Sequence, residues 1–441
     1  MALFINPNHL ILFRSHMQPS HTHGDTSYMH SSITIKPVVT QTTNGTQEGQ
    51  FSLIHIPLPL YSALIQPILR VLLPLAGPSH NNDPEGLLEG LSIDNKHGFL
   101  NISVTPIECS IVCHKSWARN IFEPVINRLP KEDSKQVQIS KDTYIVFSVS
   151  SAGMEAGQRV MDLTAPLAMA GIPIFFITTY YTDFILVPSK DRSTVGQALL
   201  QRGFEFSEND SVYVAPTPAS HSRIPSQSSE PPSTPPPSNV AELQVRTFAQ
   251  LKKRNVIPFV EPGLHLVQCS GKELLHEDEY PSRPTSNSAS NGTNGFSAQS
   301  PSSAWLENID SKLYIGLISA LVSQPRFLSI TLAQDDAPSL LIDKCLVGLF
   351  GNSIVGDTEG DLVPIFLDLV DLPLESTGIV CGVAGKLVDG MRMESPDTDA
   401  SGSELSYLST ARAGAVILSS EGSAKALEQL LPLLDKGDSI T

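Results

Sequence analysis

The sequence predicts an α+β fold of tandem ferredoxin-like βαββαβ units with antiparallel sheets. Apolar positions switch between period-two strands and helical i, i+4 stripes in the order β-α-β-β-α-β. That order recurs four times along the 441 residues. A Pro/Ser-rich stretch at 215–239 divides the chain into halves, and a polar stretch at 277–303 interrupts the third unit.

The elements follow in order. Residues 1–50 are polar, hold five of the twelve His, and read as a disordered tail outside the repeats. The first unit spans 51–140: a strand at 51–56, then Leu60, Leu64, Ile68, Leu72 and Leu75 at helical spacing. Strands at 99–104 and 107–113, a helix at 116–129 and a strand at 136–140 complete it. Segment 53–75 is long enough for a membrane span, but His55, Gln66, Arg70 and four Pro make it a strand followed by a buried helix. No secretory signal is visible at the start, which together with the cysteine usage points to the cytoplasm.

The second unit, 141–208, has strands at 144–149, 172–178, 182–187 and 204–206, and helices around Val160–Leu167 and 193–202. Residues 209–254 form a linker. The third unit, 255–357, has strands at 264–269, 327–332 and 340–347 and a helix over Leu306–Leu321. The fourth, 358–441, has strands at 365–370, 405–410 and 414–418 and helices at 376–391 and 422–434. ITTYYTDFILVPS (177–189) aligns without gaps on LSTARAGAVILSS (408–420), so two units share a turn between their second and third strands.

Charge narrows the partners. Twenty-nine Lys and Arg against 45 Asp and Glu give a formal charge of −16. An acidic chain with no sustained basic stretch is unsuited to nucleic acid or an anionic membrane. Five cysteines argue against a disulfide framework. Phosphate-loop, H-E-x-x-H and nucleophile-elbow motifs are missing, so the expected protein is no enzyme and needs no cofactor. Cys109, Cys113 and His114 lie on one strand without a fourth ligand, so no metal site is expected. Small residues in SVSSAG (148–153) and LESTGIV (374–380) precede helices, where freed backbone N–H groups cap the helix or receive a carboxylate.

SVSSAG, APLAMAGIPIFFITTYYTDFILV (165–187), PLESTGIVCGVAGKL (373–387) and YLST (407–410) together resemble the CASTOR family. Its members are cytosolic arginine sensors of the TORC1 pathway, built from tandem ACT domains. The likeness covers 144–206 and 365–434; elsewhere it extends only to element order. It implies an amino acid held between the second and fourth units. The implied wall is Ile172, Pro173 and Ile174; the implied loop is Leu374, Glu375, Ser376, Thr377, Gly378, Ile379 and Val380; the implied closing strand is Thr410, Ala411, Arg412, Ala413 and Gly414.

The family has a serine at Pro173 and carboxylates at Ser376 and Gly414, and Arg412 adds a cation here. These departures disfavour arginine and fit an acidic or apolar amino acid, or no ligand, at least as well. The resemblance also implies a regulatory protein partner at Tyr180, Tyr181 and Asp183. Three functions follow as expectations: an amino-acid-dependent regulator, a ligand-free interaction scaffold, and a separate regulatory subunit of a biosynthetic enzyme. Paired sheet edges would also suit a homodimer.

Overall fold

The computed structural model describes residues 33–42, 45–73, 98–151, 156–206, 237–272, 311–333, 336–394 and 405–434, all within the unit Ser32–Thr441. Strands β1 (Ile33–Pro37), β2 (Val39–Thr42) and β3 (Gly45–Glu48) come first. The first quarter then holds β4 (Phe51–Pro57), α1 (Tyr61–Leu72), β5 (Phe99–Val104), β6 (Glu108–His114), α2 (Lys115–Trp117), α3 (Glu123–Ile126), α4 (Lys131–Ser134) and β7 (Gln138–Ile139). A π-turn at Ala118–Phe122 joins α2 to α3.

The second quarter holds β8 (Tyr144–Ser151), α5 (Ala156–Met169), β9 (Phe175–Thr178), β10 (Asp183–Pro188), α6 (Arg192–Leu200) and β11 (Glu205–Phe206). The third holds α7 (Val240–Lys253), β12 (Phe259–Val260), β13 (Leu266–Gly271), α8 (Ser311–Val322), β14 (Leu328–Ala333), β15 (Asp336–Asp343) and β16 (Ile354–Gly356). The fourth holds β17 (Leu362–Asp368), α9 (Ile379–Glu394), β18 (Ser406–Ser409), β19 (Ala413–Ser419) and α10 (Ser420–Leu434).

The pairings close on themselves. Each quarter supplies three strands, and antiparallel pairing runs β8–β4–β6–β5–β14–β15–β13–β17–β19–β18–β9–β10 and back to β8. The fold is therefore a closed twelve-strand antiparallel barrel, which corrects the expectation of tandem ferredoxin-like units with antiparallel sheets.

The physical reason lies in two-sided burial. β5 and β10 are buried at every position, so neither sheet face meets water. Alternation sends Phe184 and Leu186 of β10 into the barrel with Phe51, Phe99, Phe366 and Leu408. Ile185 and Val187 point outward beneath the helices. A sheet with one wet face would show apolar residues on one parity only.

Two other boundaries also change. The expected tail over 1–50 contains β1, which pairs with β8 and β11; residues 1–32 lie outside the described residues. The expected linker over 209–254 ends in helix α7, started by Asn239, whose side chain accepts from Glu242 N–H at 2.8 Å. The stretch 277–303 lies outside the described residues. Segment 53–75 folds as the end of β4 and α1, with residues 74 and 75 undescribed, and no described helix is long and apolar enough to cross a membrane.

The first and third quarters meet along β5 and β14, and the barrel face of that seam is polar. Asn101 donates to Ser329 Oγ at 3.2 Å and Thr331 Oγ1 at 3.0 Å, while Ser103 donates to Asn101 Oδ1 at 2.9 Å. All four residues are buried. Replacing Asn101 by Ala should leave Ser103 and Ser329 only each other, at 2.9 Å, remove the Asn101 donor to Thr331, and lower folding stability by about 1–3 kcal/mol in urea denaturation. A loss below about 0.5 kcal/mol would mean that the seam does not depend on this network.

Candidate functional site

The second and fourth quarters meet through β9 and β18, and the junction has an internal two-fold pattern. Ile177 faces Leu408. Phe176 N–H donates to Ser409 Oγ at 3.0 Å, and Tyr407 N–H donates to Thr178 Oγ1 at the same distance. In the alignment of 177–189 on 408–420, each of these bonds is the image of the other.

The turns that follow match as well. Thr179 N–H donates to Thr182 O at 3.2 Å, and Thr410 N–H donates to Ala413 O at 2.9 Å. Tyr180 N–H reaches Ser339 Oγ at 2.8 Å, and Ala411 N–H reaches Ser110 Oγ at 3.0 Å. Each turn thus docks on a serine from another quarter.

On the fourth-quarter side this junction forms a cavity of about 50 Å³, partly open to solvent. Its walls are the 369–380 segment and the β18–β19 turn, and Ile174 and Phe175 close it from the second quarter. Gly378 starts α9 with φ +80°, and its carbonyl accepts from Gly382 N–H at 2.7 Å. The N–H groups of Ile379, Val380 and Cys381 in the first turn have no carbonyl four residues back within the helix, and together with the helix dipole they favour an anion.

Tyr407 adds the second polar feature. It is 1% exposed and lines the cavity, yet its hydroxyl has no hydrogen-bond partner among the described residues. Burial pushes the phenol well above its usual range, so it stays a neutral donor. An unsatisfied buried hydroxyl costs about 1–3 kcal/mol, which a ligand group can recover.

The cavity gathers part of the expected set. Ile174, Ser376, Gly378, Ile379, Val380, Thr410 and Ala411 line it, with Leu374 and Ala413 from the same loop and turn. Six expected residues do not. Ile172 is packed in the outer core, and Pro173 is buried beside it. Glu375 is exposed and Thr377 half-buried, both outside the lining. Arg412 turns away: its guanidinium donates to Leu372 O at 2.9 Å and to the Gln138 side chain, so it brings no cation into the cavity. Gly414 stands beneath Tyr407, where an added Cβ would lie 2.8 Å from the hydroxyl.

Phe175, Leu369, Leu372, Pro373, Tyr407 and Ser409 line the cavity without having been expected. Strand parity carried a signal for two of them. Leu408 faces the barrel, so Tyr407 and Ser409 must face the helices.

Behind the cavity stands an acid. Glu108 is fully buried and accepts from Thr410 Oγ1 at 2.6 Å, from Arg412 N–H, and from His55 Nδ1 at 2.5 Å. One oxygen of this carboxylate, Oε1, holds the β18–β19 turn, and the other, Oε2, pairs with His55. Helix α7 covers the loop from the other side: Thr247 donates to Gly378 O and Gln250 to Ser376 Oγ, both at 3.3 Å.

The expected protein contact divides. Tyr181 is 56% exposed and Tyr180 37%, with their rings edge-on at 4.7 Å. Asp183 is 3% exposed and accepts from Arg159 Nε at 2.9 Å. It is held inside the fold and cannot meet a partner, which corrects that expectation. Burial raises its carboxyl pKa, against the pull of Arg159.

Residues 139–201 match the model of the ACT-domain family. ACT domains bind amino-acid ligands in general, and the match suggests regulatory amino-acid binding. No curated protein matches the chain. Among solved structures the chain is similar to protein Atu0741 from Agobacterium tumefaciens, at 20% identity over 40% of this chain and 92% of that one, with a TM-score of 0.22. It is also similar to aspartate kinase from Synechocystis, at 9% identity over 92% of this chain and 56% of that one, with a TM-score of 0.26. Likenesses this loose carry neither fold nor activity across.

Two outcomes test this geometry. Gly378→Ala forces a Cβ to within 2.8 Å of Leu243 Cδ1 at a positive φ, and should cost about 1–3 kcal/mol in urea unfolding. An unchanged midpoint would show a loop that relaxes freely. Glu242, at the start of α7, is held down to about 2 by the Ser238 hydroxyl, the Ser238 N–H and Arg246, against an ordinary 4.5. A depressed carboxylate stabilises the fold above its unfolded pKa and loses that contribution as pH falls through its folded one. Amide protection at 240–243 should therefore drop as pH falls from 4.5 toward 2, and Glu242→Gln should abolish that dependence.

Proposed function

We propose that this protein is a non-enzymatic regulator that binds a free amino acid in the cavity between β9, β18 and the start of α9. One observation supports it above all: the first residues of α9 line the same small cavity as Tyr407, whose buried hydroxyl has no hydrogen-bond partner among the described residues. The N–H groups suit the α-carboxylate, and the hydroxyl suits a second polar group of the ligand. The ACT-domain match agrees with a ligand of this class.

The sequence likeness to the CASTOR family supports a finer reading: a cytoplasmic amino-acid sensor in TORC1-type nutrient control. The exposed pair Tyr180–Tyr181 is the surface for its protein partner. Ligand and partner sites lie on the two images of one turn. Ligand at the β18–β19 turn would then bias the β9–β10 turn through the shared junction, as two sites coupled by a common equilibrium.

Thermal unfolding of the full chain with each of the twenty amino acids at millimolar concentration tests the reading. A ligand at about 100 times its Kd adds roughly 2.7 kcal/mol of stability. One amino acid, or a group of related ones, should raise the Tm. Ser376→Trp, at a half-buried lining position, should abolish the shift while leaving the unliganded Tm in place. No shift with any amino acid would replace this reading with a ligand-free scaffold.

A further inference from the structure

We infer that Glu108, seated on His55, is a positioning residue: it latches the β18–β19 turn as a wall of the cavity, and the twin β9–β10 turn carries no such latch. The latch itself needs no ligand, whereas its effect on affinity rests on the amino-acid-binding reading above.

The two turns dock alike through serines. Ala411 N–H donates to Ser110 Oγ, and Tyr180 N–H donates to Ser339 Oγ. Ser110 and Ser339 are therefore images of each other, and strand register extends the correspondence to their neighbours. His55 faces Ser110 across β4 and β6, and Ser270 faces Ser339 across β13 and β15. Two residues before each serine, on the same strand face, stand Glu108 and Ala337. The first quarter thus carries a buried His–Glu pair where the third carries Ser270 and Ala337. Neither replacement can act as the pair does. The Ala337 side chain accepts nothing, and the Ser270 hydroxyl is turned onto Gly271 O and Pro338 O, each at 3.1 Å.

The difference falls on the turns. Glu108 Oε1 takes two donors of the fourth-quarter turn, the Thr410 hydroxyl and the Arg412 N–H. Oε2 takes His55 Nδ1 at 2.5 Å, which fixes the orientation of the carboxylate. In the second quarter the image of Arg412 is Tyr181, and no described residue accepts its N–H. The image of Thr410 is Thr179, whose hydroxyl stays within its own turn on Thr182 O at 2.5 Å. Thr410, Ala411 and Ala413 line the cavity, so what Glu108 fixes is the wall. A wall already held in place lowers the ordering cost of binding. Hydrogen bonds to an ionised acceptor are roughly twice as strong as neutral ones, so the charge of Glu108 matters as well as its shape.

Hydrogen exchange of the full chain, read amide by amide, tests this first in the wild type. The protection factor of Arg412 N–H should exceed that of Tyr181 N–H by about tenfold or more, the value of one hydrogen bond. Equal protection would overturn the inference without any variant. Glu108→Gln keeps the shape and removes the charge. It should speed exchange at Arg412 about tenfold while Ile102 and Ile111, in the neighbouring strands, keep their protection. Equal acceleration at all three would mean a general loss of structure and overturn the positioning role, as would unchanged exchange at Arg412. By isothermal titration, Glu108→Gln should bind the amino acid that raises the wild-type Tm about tenfold more weakly. Faster exchange at Arg412 with unchanged affinity would overturn the role at the cavity. Wild-type protein that binds none of the twenty amino acids would overturn the amino-acid-binding reading and the effect on affinity with it, and the latch would then stand or fall on exchange alone.

Discussion

The barrel depends on a junction that strand pairing alone cannot complete. β9 and β18 are four residues each and face one another at a single pair, Ile177 and Leu408. Two side-chain hydroxyls finish the ladder. Ser409 takes the Phe176 N–H, and Thr178 takes the Tyr407 N–H. Without them, two buried backbone donors would go unpaired where the ring closes, each at a cost comparable to a lost hydrogen bond. Because the bonds are reciprocal, they also fix the relative placement of the second and fourth quarters. That placement puts Ile174 and Phe175 across from the start of α9 and so creates the cavity.

Closure changes what the strands must bury. Both faces are dry, so every strand carries two cores, one beneath the helices and one inside the barrel. The interior is not uniformly apolar. Its second- and fourth-quarter side is filled by aromatic and aliphatic residues, whereas the first- and third-quarter side carries Asn101, Ser103, Ser110, Ser329 and Ser339. Buried polar groups of this kind are tolerable only when satisfied, and here they satisfy one another and the incoming turns. Ser110 and Ser339 do so symmetrically, by accepting Ala411 and Tyr180 N–H. Through these contacts the cavity wall is mechanically part of the first quarter.

Two images of one turn have taken different chemistry. Around the second-quarter turn, Asp183 and Arg159 neutralise each other inside the fold, and Tyr180 and Tyr181 remain on the surface. Around the fourth-quarter turn, Ala411 is buried, Gly414 leaves room, and Tyr407 is left with an unused hydroxyl. The backbone geometry is shared, so the divergence lies in a handful of side chains. One half holds an internal ion pair, and the other borders the cavity.

Much of this was legible from the residues. Strand and helix positions followed from period and turn signals, because local burial imposes local pattern. The repeat of 177–189 in 408–420 anticipated the two matching turns, because the same short sequence makes the same hydrogen bonds. Small residues before an apolar run marked the helix start after 374–380, and the family resemblance implied that this loop belongs to the site. Barrel closure was not legible. It rests on pairings between residues hundreds of positions apart, such as Ser329 with Ser103, and period-two patterns do not name their partners. Nor was the direction of Arg412 or the burial of Asp183, since a charge in sequence carries no sign of which carbonyl or guanidinium awaits it. Local order was written in the chain; which faces met, and hence which polar group was left without a partner, was decided only when the ring closed.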